Sequence, residues 1–179
     1  MSFADFTLEN VRAYSNPARA YLWLVEIPDA PSSGRTGESN RSLSFHARKA
    51  QIPEVSSEEI TIPWMNAEFY VAGKTKYGEA TIEFEENTAL EIRKILDSWR
   101  KLIYDEVGGG QAPPATYKRY IDITLMDADG NEIKTFRLVG AWPKTISAVE
   151  LSYEENAVLK WSVAFRYDYY KMLSGELGE

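Results

Sequence analysis

The chain lacks cysteine entirely and has a single histidine, His46, among its 179 residues. The absence of cysteine excludes disulfide bonds, thiolate metal ligands and a cysteine nucleophile, and it is typical of proteins that fold in a reducing cytoplasm. With one imidazole, a zinc site or a catalytic triad would have to be assembled mainly from carboxylates. We therefore expect neither an enzyme nor a bound metal or cofactor.

Long apolar runs and an excess of positive charge are also missing. No segment approaches the roughly 18 apolar residues of a membrane span, and the first residues lack the basic and then apolar pattern of a secretory signal. Stable membrane association is therefore not expected. Acidic residues outnumber basic residues by 27 to 20, which gives a formal net charge of −7. This balance argues against a protein that grips nucleic acid by its phosphates, but it is compatible with nucleic acid that slides past.

The most regular pattern in the chain is an alternation over residues 157–170. A period of two that holds for about six repeats does not fit one face of a helix, and it predicts a long β-strand with one side against a core. The positions on that side are Leu159, Trp161, Val163, Phe165, Tyr167 and Tyr169.

Shorter alternations predict further strands, which are connected by turn-forming residues. Their ranges are 19–27, 42–50, 59–63 (with Ile60 and Ile62 directed inward), 78–86, 117–126, 132–139 and 146–153. One strong helix follows a capping-box signature, Thr88 with Glu91, and carries an apolar stripe that includes Trp99. The sequence therefore predicts a single domain over residues 1–179 that is mainly β, an antiparallel β-sandwich or barrel with one flanking α-helix.

Three segments lack a clear period. Residues 1–17 are interpreted as an N-terminal arm and residues 28–41 as a long exposed loop. Residues 63–77 are apolar enough to require burial yet are bounded by Pro63 and interrupted by Gly73, so we predict an extended contact loop that meets a partner. The candidate contact residues are Trp64, Met65, Phe69, Tyr70, Lys74 and Lys76.

Two motifs resemble ligand loops but are incomplete. Gly73-Lys74-Thr75 matches the end of a phosphate-binding loop, but Glu68 occupies the position of its first glycine. The run from Asp127 to Asn131 resembles the start of a calcium loop, but Leu138 stands where the bidentate glutamate belongs. We interpret the first as a turn with a surface lysine and the second as a hairpin turn.

An acidic stripe is predicted on the strand at residues 78–86, where Glu79, Thr81, Glu83 and Glu85 alternate with apolar residues. A glycosidase could use a carboxylate pair such as Glu83 and Glu85, although glutamates at this spacing are common on solvated strands. Two interpretations remain for the stripe itself. It is either the wet side of an antiparallel sheet or a surface that lets a polyanion pass without sticking.

The C-terminal half carries a more specific pattern, GAWPKTISAVELSYEENAVLKWSVAFRYDYY over residues 140–170. This pattern resembles the tail tube proteins of contractile-tailed phages and related contractile injection systems. Upstream, Asn16-Pro17-Ala18-Arg19, Ala72-Gly73-Lys74 and the helix with Trp99 fit the same family in order and spacing. The resemblance spans nearly the whole chain.

The resemblance implies a fold like that of tail tube and Hcp proteins and a structural role in the virion. Six copies would close into a ring, and rings would stack into the inner tail tube that conducts DNA or another payload during contraction. Expected partners are further copies of the chain, the tail sheath protein and the baseplate or tube initiator, with DNA passing through the lumen without specific binding. The protein would be made in the host bacterial cytoplasm.

In that arrangement a set of polar residues is predicted to face the lumen: Glu79, Thr81, Glu83 and Glu85, together with Glu59 and Thr61 from the neighbouring strand. Two alternatives stay open at the level of sequence. The first is a tube initiator or terminator that forms one ring of the same fold without polymerising. The second is a monomeric β-barrel that binds a small ligand.

Overall fold

The alternating segments form an antiparallel β-structure in the computed structural model, which describes residues 18–31, 38–154 and 156–174. Its strands are β1 (Trp23–Glu26), β2 (Ala47–Ala50), β3 (Val55–Trp64), β4 (Ala67–Tyr77), β5 (Ala80–Glu85), β6 (Arg119–Met126), β7 (Glu132–Ile146), β8 (Lys160–Arg166) and β9 (Tyr169–Ser174). Its helices are α1 (Glu38–His46), α2 (Glu91–Ile103) and α3 (Pro114–Tyr117). The mainly β class and the antiparallel pairing are therefore confirmed.

Seven strands form one sheet in the order β1-β6-β7-β8-β5-β2, with β9 also paired to β7. The first half of β7 pairs with β6 and β9, and its second half pairs with β8. One long strand therefore joins two half-sheets. The two end strands of this order, β1 and β2, do not pair with each other in the described residues, so the sheet is open there. Strands β3 and β4 form a separate two-stranded sheet.

The two halves of β7 meet at Gly140, whose φ of 70° lies in the left-handed region. A Cβ at this position would lie 2.3 Å from a carboxylate oxygen of Asp168. That carboxylate accepts two hydrogen bonds from Lys118 Nζ, at 2.6 and 2.8 Å, and the Asp168 amide donates to the Val139 carbonyl. Glycine is required here by both the backbone conformation and the close approach of Asp168.

The core lies between the half-sheets and the helices. Fully buried residues come from both half-sheets and from one side of α2, where Trp99 packs against Phe165 with ring centroids 5.8 Å apart. Trp99 also donates from Nε1 to the Tyr117 carbonyl at 2.7 Å, which fastens α2 to α3. The core aliphatic residues include Val25, Ile82, Ile92, Leu96, Ile121, Leu138 and Val163.

Helix α2 lies where a helix was predicted, but the capping box was wrong and the helix begins at Glu91 instead of directly after Thr88. Residue Leu90 occupies the N-cap position with φ of 53°, and no side chain caps the helix from that position. Glu86 instead places its buried carboxylate at this end and accepts hydrogen bonds from the amides of Ile92 and Arg93. It also accepts from the indole of Trp161 at 2.7 Å. An anion at a helix N-terminus satisfies amides that lack partners and interacts favourably with the helix dipole.

Several sequence-based boundaries were wrong. The predicted strand over residues 42–50 is the end of α1 followed by β2, because Leu43 is buried from a helix while Phe45 is exposed. Helix α1 also occupies the end of the predicted loop at residues 28–41. Residues 147–154 carry no strand, although one was predicted over 146–153. The long strand over residues 157–170 is interrupted at Tyr167 and Asp168, where the chain leaves β8 and enters β9. The N-terminal arm, residues 1–17, lies outside the described residues.

The β3–β4 hairpin is attached to the sheet by aromatic rings at its base. Tyr77, the last residue of β4, lies 6.1 Å from Tyr167 and 5.9 Å from Tyr170 between ring centroids. The Tyr167 hydroxyl donates to the carbonyl of Glu54, the residue before β3, at 3.3 Å. Both strands of the hairpin are therefore fixed at the same corner, where β8 gives way to β9.

We expect Glu86→Gln to lower the free energy of unfolding by about 1–3 kcal/mol, because an amide cannot accept all the hydrogen bonds that the carboxylate accepts. The matched variant Thr88→Ala, at the residue of the incorrect capping box, should change it by less than about 0.5 kcal/mol. Urea denaturation measures both. An equal loss in the two variants would contradict the assignment of Glu86 as the capping group.

The stability of the hairpin base should fall at alkaline pH. Burial raises the pKa of Tyr167, so the folded state favours the neutral hydroxyl more than the unfolded state does. The resulting stabilisation is complete below the unfolded pKa of about 10 and is lost as the pH rises above it. Urea titrations at pH 8 and above pH 10 should show that the free energy of unfolding falls less in Tyr167→Phe than in wild type. In Tyr153→Phe, at a fully exposed tyrosine, the free energy of unfolding should fall as much as in wild type.

Candidate functional site

The β3–β4 hairpin has one apolar face and one polar face. Ile60 pairs with Val71 and Ile62 with Phe69 in the antiparallel register, and directly paired residues point to the same side. Trp64 falls on that side too, opposite Ala67. We call Ile60, Ile62, Trp64, Phe69 and Val71 the apolar hairpin face. Their exposed fractions lie between 36% and 66%, so in this chain the face is uncovered.

This hairpin corrects two expectations. Residues 63–77 form mostly the regular strand β4, so the predicted loop conformation was wrong, while their role as a contact segment stays a prediction. Ile60 and Ile62 were expected to point inward, but both are exposed. The segment showed no clear period in the sequence because neither side of the hairpin enters the core of its own chain. Apolar residues therefore occur at positions that a core would not select.

The six predicted contact residues divide between different parts of the hairpin. Trp64 and Phe69 belong to the apolar hairpin face, whereas Tyr70 alternates onto the opposite strand face. Lys74 lies at the register shift between the pairs Glu59–Ala72 and Ser57–Thr75. Met65 lies in the turn with φ of 54° and is almost fully exposed. Lys76 forms an ion pair with Glu58 across the strands. The structure thus brings two of the six onto one surface and adds Ile60, Ile62 and Val71 to it.

Two of the predicted lumen residues, Glu59 and Thr61, also lie on the hairpin. They occupy its polar side, and Thr61 pairs directly with Tyr70. They were expected on a strand next to β5, but the neighbours of β5 are β2 and β8. Strand pairing therefore does not join them to the acidic stripe, and their position relative to a lumen remains a prediction.

The acidic stripe lies on β5 opposite the core, as its alternation predicted. Ala80, Ile82 and Phe84 are fully buried, whereas the side chains of Glu79, Thr81, Glu83 and Glu85 are directed to the other side. Each carboxylate has a cationic partner that the sequence analysis missed. Glu83 accepts from Lys49 Nζ at 3.1 Å, Glu85 pairs with Arg48, and Glu79 pairs with Lys144.

Further cations lie on the same side of the sheet. Lys160 is directly opposite Glu85 in the β5–β8 register, and Arg166 alternates with the buried Phe165 on β8. We define the charged sheet face as Glu79, Thr81, Glu83 and Glu85 together with Arg48, Lys49, Lys144, Lys160 and Arg166. This face carries more cations than carboxylates although the chain as a whole is acidic. The cations come from β2, β7 and β8, so their alternation could have been read from the sequence but their proximity to β5 could not.

The ligand-loop motifs take ordinary structural roles. Gly73, Lys74 and Thr75 lie within strand β4, so the predicted turn was wrong, and no strand-loop-helix phosphate cradle exists there. Asp127 closes the β6–β7 hairpin, as expected for a turn, by accepting hydrogen bonds from the backbone amides of Asp129 and Asn131 and from the side-chain amide of Asn131. The side-chain hydrogen bond from Asn131, followed by the backbone one, keeps the pKa of Asp127 below its usual value. Within the described ranges no group of three or more metal-ligating side chains occurs. No described helix combines the length and hydropathy that a membrane span requires.

Comparison with known proteins identifies relatives of this chain. The family model "Phage tail tube protein" matches residues 25–173. The tail tube protein of Serratia phage KSP90 is 28% identical over 134 residues, which cover 74% of this chain and 75% of that protein. Tail tube protein gp19 of Enterobacteria phage T4 is 23% identical over 159 residues, covering 86% of this chain and 91% of gp19.

A solved structure shows the same fold. A chain of the PVC sheath-tube complex, an extracellular contractile injection system in the extended state, superposes with a TM-score of 0.67 and 15% identity over 94% of this chain and 98% of that chain. The relatives are structural tail tube proteins, so the expectation of a non-enzymatic protein is confirmed. The family match covers most of the chain, and the protein belongs to the phage tail tube protein family.

Proposed function

We propose that six copies of this chain close into a ring and that the rings stack into the inner tube of a contractile tail, through which DNA passes. The observation that carries this proposal is the apolar hairpin face. A two-stranded hairpin in water is marginally stable at best, and this one exposes five large apolar side chains beyond its anchored base. Family membership supports a neighbouring copy of the same chain as the surface that covers it.

The open sheet also favours lateral association. Strands β1 and β2 lie at the ends of the order and do not pair with each other in the described residues. Free strand edges are templates for pairing with another chain, and closure around a ring removes them. A monomeric ligand-binding barrel fits poorly, because such a barrel closes its sheet within one chain. The number six comes from the family resemblance.

The partners follow from the same assignment. The similar PVC chain belongs to a complex of sheath and tube. By analogy, the outside of the proposed tube meets a sheath protein, and its first ring meets a baseplate or tube initiator. Phage tail tube proteins are components of the virion, and we propose that this chain is synthesised in the cytoplasm of the bacterial host before assembly.

The orientation of the charged sheet face is a further part of the proposal. We place Thr81 and its neighbouring glutamates toward the lumen, because this face is opposite the core and its ion pairs need no partner from another subunit. A surface whose carboxylates are all paired within the chain, and whose other charges are cations exposed to water, can remain solvated. The apolar hairpin face, by contrast, requires a partner.

The hairpin can be tested by a double variant, Trp64→Ser with Phe69→Ser. Both side chains are exposed in the chain, so the fold measured by circular dichroism should persist while association is lost. Negative-stain micrographs of concentrated wild-type protein should show rings or rods, and the double variant should show neither. Val107→Ser, at an exposed apolar residue outside the hairpin, is the matched control and should assemble like wild type.

Each outcome of that experiment has a distinct meaning. Undiminished rods from the double variant would contradict the hairpin contact. Wild-type rings that never stack would indicate an initiator or terminator of the tube. A persistent wild-type monomer by light scattering, even at high concentration, would contradict the assembly altogether.

The lumen orientation can be tested with a single engineered thiol, because the natural chain has no cysteine. In assembled tubes of Thr81→Cys, we expect a small soluble maleimide to react, since it can diffuse along the lumen. Maleimide immobilised on large beads should not react. Val107→Cys tests the bead reagent at a nearly fully exposed position in the unassembled chain. Efficient capture of Thr81→Cys tubes by the beads would place this face outside, beneath the sheath.

A further inference from the structure

The charged sheet face contains the elements of a phosphate-binding surface. Arg48 and Lys49 lie on edge strand β2, Lys144 on β7, and Lys160 and Arg166 on β8. All five side chains are on the side of the sheet opposite the core, either by strand register or by their contacts with the β5 carboxylates. A surface on which several cations lie close together binds nucleic acid backbones without regard to sequence.

Three of these cations already form ion pairs with glutamates on or next to β5. The partner of Arg48 is Glu85, that of Lys49 is Glu83, and that of Lys144 is Glu79. The pairs run along the full length of β5, from the residue before the strand to its last residue. A carboxylate beside an ammonium or guanidinium group offsets its positive charge and takes up some of its N–H donors, so the attraction of that cation for a phosphate is weaker.

We propose that this face is a masked polyanion-binding surface, in which the glutamates of β5 act as built-in counterions that keep the cations of β2 and β7 from DNA phosphates. This differs from repulsion by an acidic stripe, because the face has more cations than carboxylates. The local role of the glutamates is to occupy the cations, and low affinity for DNA follows from that occupation. The inference does not depend on assembly or on which side of a tube the face occupies.

The test is the affinity of the soluble full-length chain for a fluorescent DNA duplex, measured by anisotropy at several salt concentrations. Wild type should bind weakly, through Lys160 and Arg166 at most, whereas Glu83→Gln with Glu85→Gln frees Arg48 and Lys49 and should gain binding. Each phosphate contact contributes about −0.9 to the slope of log affinity against log salt concentration, so two contacts predict about a twelve-fold loss of affinity between about 50 and 200 mM salt. Participation of Lys160 or Arg166 would make the slope steeper.

The control variant is Glu59→Gln with Glu68→Gln, which removes the same amount of negative charge from the hairpin. It should bind DNA no more tightly than wild type, because these glutamates form no ion pair in the described residues. A gain in both double variants would mean that net charge alone sets the affinity and would overturn the proposal. A folded Glu83→Gln/Glu85→Gln variant that fails to bind would also overturn it, as would wild type that already binds equally well.

A second variant keeps the test decisive if the edge strand is disturbed. Glu79→Gln frees Lys144 on β7 without changing any contact of β2, and it should gain weaker binding with a shallower salt slope. Adding Arg48→Gln and Lys49→Gln to the first double variant should abolish the gained binding. Ring and rod formation is scored separately by microscopy, so a failure of the masking proposal and a failure of tube assembly give different results.

Discussion

The hydrogen-bonded ladder of strand β7 is the constraint on which the rest of the structure depends. Because β7 pairs with β6 and β9 along its first half and with β8 along its second, it fixes both half-sheets relative to each other. The change of partner requires the left-handed residue Gly140 and the adjacent Asp168, whose amide bonds back to β7. Because β8 pairs with β5, strand β7 also positions the charged sheet face. Tyr167, directly after β8, holds the base of the hairpin by its hydrogen bond to the Glu54 carbonyl.

Much of this arrangement could be predicted from local patterns. Strands β5 and β8 were readable because one side of each is fully buried and the other is polar, so the period of two is strict. The same logic produced an error over residues 157–170. The alternation in the sequence runs on to Tyr169, but the core-facing side changes at the break, because Tyr167 is buried, Tyr169 is exposed and Tyr170 packs against the core. Nothing in the local sequence marks this change. The helix that ends at His46 was mistaken for a strand because three alternating apolar positions are too few to separate a period of 2 from one of 3.6.

The functional surfaces were less predictable, and for different reasons. The glutamates of β5 follow from alternation within one strand, but Arg48 and Lys144 reach them from segments far away in the sequence. Their pairing depends on strand order and on a register shift in β7 near Pro143, which no local pattern encodes. The hairpin was recognised only in part, because the strand predicted over residues 59–63 lies within β3 whereas β4 was predicted as a loop. The apolar residues of β4 are exposed in this chain, so they form no core-facing alternation that could be recognised as a strand.

The two exposed surfaces differ in how they can be satisfied, and this difference suits a subunit that assembles around an opening. The apolar hairpin face lowers its free energy when water is removed by another protein surface. The charged sheet face already holds three internal ion pairs, so covering it would cost the desolvation of those pairs. A chain with a net charge of −7 also carries cations that would attract a polyanion if they were left unpaired. In the proposed assembly, pairing three of the five cations on the sheet leaves a solvated surface that retains DNA weakly, while the hairpin and the free strand edges favour association.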